Sequence, residues 1–166
     1  MKIIATVVTS ILLAGCAATN DHQPPEANLS YSLIRTVPFS KNTINTDIPV
    51  SLYKNNPRTV SVDSPFTIRR CESPDLCSQG VVTIVSQLTL IEKSDDHATV
   101  SLSSNVTVGR QGTFKSGSSK ETRTINEEVP LITEQAFSVN RTLVLSRGHA
   151  QTVRLLPEAE LVVDLK

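Results

Sequence analysis

The sequence predicts an all-β protein, an antiparallel β-sandwich or small barrel of about eight or nine strands. Three observations predict it. The 166 residues include 18 Val, 11 Ile and 18 Thr against one Met and no Trp, and β-branched side chains pack well on a pleated surface but lose rotamer freedom in a helix. Residues 82–90 and 100–108 place apolar side chains at most even positions, the period of a strand with one wet face. No segment sustains a 3.6-residue period, and no repeat of fixed length runs through the chain.

In chain order, the first strands are expected at 31–37, 48–53, 59–62 and 66–70. Pro38, Pro49, Pro57 and Pro65 punctuate them. Proline cannot donate to a central ladder, so it suits strand starts and edges. The long strands 82–90 and 100–108 follow. The turn formers Lys93-Ser94-Asp95-Asp96-His97 between them predict an antiparallel hairpin. Residues 109–123 read as a long flexible loop, and 126–135, with Pro130 inside, as at most a turn of helix. A meander closes the chain: 141–146, a turn at Arg147-Gly148-His149, 151–156, a turn at 157–160, and 161–165.

Length and charge narrow the function classes. One domain fits this length. Sixteen Lys and Arg against sixteen Asp and Glu give zero formal charge, which removes the broad attraction on which nucleic-acid binding relies. At 39% hydrophobic and 19% charged residues the chain is too apolar for disorder and too polar for several membrane spans.

The first sixteen residues, MKIIATVVTSILLAGC, carry Lys2, an apolar run from Ile3 to Leu13, and then Ala14-Gly15-Cys16. This is a secretory signal pattern, too short for the roughly 20 residues of a membrane span. Leu13-Ala14-Gly15-Cys16 resembles a bacterial lipobox. The resemblance implies cleavage before Cys16 and a diacylglycerol on its thiol. In the sorting pattern this resembles, Asp after the lipidated cysteine retains a lipoprotein in the inner membrane; Ala17 stands there, which implies the outer membrane. The periplasmic face is the expected location, with the cell surface as the alternative. The chain then divides into a signal peptide (1–15), the lipidated cysteine with a Pro-rich tether (16–28) and a single β domain (29–166). About a dozen extended residues at ~3.1 Å each hold such a domain a few tens of Å from the lipid.

With Cys16 lipidated, Cys71 and Cys77 remain as an even pair in an oxidising compartment. A local disulfide is expected. Zinc needs four ligands, and no second His stands at ligand spacing from His97.

Motifs for catalysis are sparse. The chain has no Gly-x-Ser-x-Gly, no phosphate loop, no His-Glu-x-x-His and no calcium loop. His97 and His149 are the only imidazoles the domain offers as base to a serine nucleophile, and both fall in expected turns. The expectation is no enzyme, no cofactor and no metal.

Residues 109–123 are the candidate binding segment. Arg110, Lys115, Lys120 and Arg123 surround the single aromatic Phe114, with three Gly, three Ser and one anion, Glu121. Loops on a rigid scaffold carry binding residues, and a basic loop suits an anionic partner. Arg69-Arg70 makes a lesser basic patch. The run from Asp95 to Val108, the Gly/Ser-rich stretch, and 142–153, with Gly148 and Gln151-Thr152-Val153, is similar to the strand, loop and strand order of secretin β-lobes. Here His149-Ala150 is inserted before Gln151. That likeness implies envelope assembly machinery. The expected function is a lipid-anchored, non-enzymatic accessory subunit of an envelope assembly such as a pilus or secretion system, docking an envelope protein. The alternative is a β module that binds an envelope ligand or inhibits a lytic enzyme.

Overall fold

The computed structural model describes residues 24–36, 43–61, 64–116 and 118–166. Cys16, Ala17, the signal and the tether up to Gln23 lie outside them, as do Val37, Pro38, Val62 and Gly117. The described residues form eleven strands and no helix, most of the strands with apolar side chains alternating on one face. They are β1 (Ala27–Thr36), β2 (Thr43–Leu52), β3 (Arg58–Ser61), β4 (Phe66–Ser73), β5 (Leu76–Lys93), β6 (His97–Gly109), β7 (Gln111–Ser116), β8 (Ser119–Thr124), β9 (Gln135–Ser146), β10 (Gln151–Leu156) and β11 (Ala159–Leu165). Eight or nine strands were expected; the additional ones include β7 and β8, in the stretch read from sequence as a loop. The 126–135 segment forms turns and an extended pairing rather than helix. β1 starts at Ala27, two residues inside the expected tether, and Ala27 is itself buried.

The strands form a sandwich. One layer has the order β10-β11-β1-β2, and all its pairs are antiparallel. The other runs from β5 through β6 to β9, also antiparallel. The eighteen residues of β5 are long enough to take two partners end to end, β4 along Leu76–Val82 and β3 along Val85–Leu88. The prolines sit where a missing N–H does least harm: Pro49 in the edge strand β2, Pro57 just before β3 and Pro65 just before β4.

Between the layers lies one apolar cluster, with Leu29, Leu33, Leu88, Leu102, Leu145 and Leu161 all at 1% exposure or less. Burying such a side chain contributes roughly 1.5–3 kcal/mol each. Three hydroxyls interrupt it. Tyr31 of β1 shares a hydrogen bond with Ser86 of β5, and Ser86 shares one with Ser104 of β6. All three are fully buried, so this chain of hydroxyls ties the two layers through the middle of the core.

The register gives the sandwich a polarity. At the near end, where the chain comes in through Pro24 and Pro25, Ala27 pairs with Leu52, the Lys166 N–H donates to the Asn28 carbonyl, Lys54 bridges to Leu90 and Arg147 to Leu165. The β5–β6 and β9–β10 turns share that end, where the Arg147 N–H donates to the Asp96 carbonyl. The far end holds the β10–β11 turn, the β4–β5 hairpin, the β6–β7 junction and the start of β9. Arg35 stacks on the Phe66 ring there, 4.8 Å from its centroid, which ties β1 to β4.

Candidate functional site

Two hairpins are rooted at the far end. The first is the β4–β5 hairpin, in which Cys71 and Cys77 are directly paired across the strands and joined by a disulfide, with 4.0 Å between their Cα atoms. Residues 71–76 are exposed, Leu76 at 52%, so the bridge clips a tip that the core does not hold. Arg70 at its base donates two bonds to the Glu158 carboxylate in the β10–β11 turn, at 2.8 and 3.1 Å. This pairing raises the Arg70 pKa and lowers that of Glu158. It also takes Arg70 out of the expected Arg69-Arg70 binding patch.

The second is the β7–β8 ribbon, which lies against β5 and the segment before β4. β7 and β8 pair from Gln111↔Thr124 to Ser116↔Ser119. Its base is seated on β5 through Gly112, where a Cβ would come within 2.7 Å of Thr83 Oγ1, 2.8 Å of Val81 Cγ1 and 2.9 Å of Pro65 Cβ. Only a residue without a side chain allows that approach. After the ribbon the chain turns back, and the Pro130 carbonyl accepts from Gln79 N–H while Ile132 N–H donates to the Gln79 carbonyl. Ile132 thereby enters the core.

Cross-strand pairing sorts the expected binding residues onto different faces. Gly112↔Arg123 and Phe114↔Glu121 share the face turned toward the sandwich. On it Phe114 is half-buried, the Ser64 hydroxyl donates to the Glu121 carboxylate, and Arg123 stands 4.0 Å from the same carboxylate. Arg110 is engaged at the base, where Nη1 donates to the Asn126 carbonyl at 2.8 Å and holds the returning segment. Lys115 and Lys120 occupy the opposite face as a direct pair, next to Thr113↔Thr122 and Gln111↔Thr124. Both lysines are exposed, and among the described residues neither makes an ion pair. Of the five residues expected to bind together, Phe114 and Arg123 share the inner face, Lys115 and Lys120 the outer one, and Arg110 is held at the base.

A shallow depression of about 500 Å³ adjoins the ribbon base, lined by Thr107, Gly109, Arg110, Gln111, Glu134 and Gln135. At the near end, His97 and His149 flank Ser146: His97 opens β6 opposite it, and His149 bridges to it from the other side. Both imidazoles are exposed; His149 donates its main-chain N–H to the Ser146 carbonyl at 3.1 Å, and neither ring bonds Ser146 among the described residues. The sequence reading missed this grouping, because the register that makes it joins residues about fifty apart. The chain matches no family model, no curated protein and no solved structure.

Proposed function

We propose that this chain is an outer-membrane lipoprotein, anchored through Cys16 and facing the periplasm, whose sandwich serves as a non-enzymatic docking subunit of an envelope assembly. The polarity of the fold supports this most directly. The segment that follows the lipobox-like signal joins the sandwich at the near end, while the disulfide-clipped hairpin and the root of the ribbon, at the β6–β7 junction, lie at the other. A tether at the near end leaves the clipped hairpin and the ribbon open to a partner in the periplasm, which meets them at raised local concentration. Packed side chains fill the space between the layers, which favours contact through projections and edges over a ligand held inside.

Two measurements test the reading. Fractionation of cells carrying Cys16→Ala is expected to show loss from the outer membrane; unchanged retention overturns the anchor. A photoreactive residue at Thr124 on the ribbon, with Asp95 at the near end as the comparison site, is expected to capture one discrete envelope protein from intact cells at the ribbon alone. Capture at neither position, by protein correctly localised, overturns the docking role.

A further inference from the structure

We propose that the outer edge of β8 accepts an extended acidic segment of a partner protein as a third strand, with Lys115 and Lys120 reading its carboxylates. This inference rests on the domain being a docking module and names the chemistry of what it docks.

Three observations carry it. First, the ribbon is two-stranded, with β8 paired only to β7 among the described residues, and all six β8 residues are exposed. Two strands alone are marginal in water; a third gives independent stability. Second, the edge presents its backbone. Ser116 and Ser119 pair with two residues between them, which makes theirs a hydrogen-bonded pair. By alternation Lys115↔Lys120, Thr113↔Thr122 and Gln111↔Thr124 are the non-bonded pairs, in which side chains lie closest and the N–H and C=O groups point away from the partner strand. The Thr113 and Thr122 hydroxyls, 3.2 Å apart, fit that assignment. Lys120, Thr122 and Thr124 thus offer an unused row of donors and acceptors, and nothing on this edge acts as a block: it has no proline and no bulge.

Third, the face beside that row is built for anions. Like charges directly opposite one another destabilise a ladder, yet Lys115 faces Lys120 with no carboxylate on their side. Glu121, the one anion of the ribbon, is turned inward to Ser64. A strand added along β8 would place every second side chain on the lysine face. Acidic residues at alternate positions would neutralise the pair, while main-chain bonds supply affinity.

The test uses the full chain in detergent and two fluorescein-labelled octapeptides, one alternating Glu with Thr and one alternating Lys with Thr, read by fluorescence anisotropy. Saturable binding of the acidic peptide, at least about tenfold tighter than the basic one, is expected. Lys115→Glu with Lys120→Glu should reverse the preference. Thr122→Pro removes an outward N–H without touching the β7–β8 ladder and should weaken the acidic peptide by about tenfold or more. Equal affinity for both peptides overturns the proposal, as does an unchanged affinity in Thr122→Pro. So does lysine-dependent sedimentation of the Cys16→Ala chain with phosphatidylglycerol vesicles when the acidic peptide does not bind, which assigns the face to lipid. Failure of the peptides alongside capture of a protein at Thr124 removes this inference and leaves the docking role standing.

Discussion

Tyr31 and Ser86 join the two layers of the sandwich: their side-chain oxygens lie 2.6 Å apart, with both residues fully buried. Ser86 is in turn 2.7 Å from Ser104, so Ser86 is the middle of the chain and its loss orphans two hydroxyls. Tyr31→Phe leaves Ser86 and Ser104 paired and is expected to cost about 1 kcal/mol, whereas Ser86→Ala is expected to cost about 1–3 kcal/mol. Urea unfolding midpoints at unchanged slope check the order.

The same tyrosine sets an alkaline limit. Burial pushes the Tyr31 phenol from 10.0 up to about 12, against a smaller opposing effect of Ser86. Between those values the unfolded chain has released the proton and the folded one still holds it, so stability falls as pH rises through this window. Tyr31→Phe should flatten that fall. An equally steep decline in the variant, followed by urea unfolding across the window, would assign it to other groups.

Arg70 and Glu158 give the acid counterpart. Pairing with Arg70 holds the Glu158 carboxyl below its ordinary value of 4.5. The contribution is therefore present above about 4.5 and lost as pH falls through the lowered folded value. Glu158→Gln is expected to cost about 1 kcal/mol near neutrality, a partly exposed pair being worth no more. The gap from wild type should close as the medium is acidified, which thermal melts at stepped pH will show.

Ser at both Cys71 and Cys77 should lower stability by roughly 2.4 kcal/mol on the loop-entropy model for so short a loop. The β signature in circular dichroism should persist, since the bridge clips an exposed tip outside the core. Peptide masses with and without reductant check that the bridge forms.

Gly112→Ala should lift the ribbon. Its Cβ would fall within 3 Å of Val81, Thr83 and Pro65, and such overpacking costs typically 1–3 kcal/mol. Faster proteolysis within 111–124, with the remainder resistant, is the expected result. Uniform loss of resistance would show instead that the ribbon is part of the cooperative core.

What was legible in the sequence followed the buried faces. β5 and β6 were readable because one side of each meets the core, and the meander was readable for the same reason. β7 and β8 were not, because polar residues on both sides leave no alternation to find. The first half of β9 was missed likewise: Gln135, Ala136, Ser138 and Asn140 are exposed, and Phe137 and Val139 are only partly covered. Ser86 and Ser104 did leave a signal, as hydroxyls interrupting two apolar rows, but only the packing of the two layers shows that Tyr31 answers them. The expected binding residues were adjacent in sequence, and a period of two divided them between opposite faces.

The place of β1 bears on mechanical load. With the anchoring and docking proposed above, a pull between tether and ribbon would enter the sandwich through the first residue pairs of β1. That strand is clasped on both sides, by β2 through ten residue pairs and by β11 through seven. Its ladder bonds would lie across such a pull and yield together in shear, so a domain anchored in this way would transmit tension instead of unzipping under it.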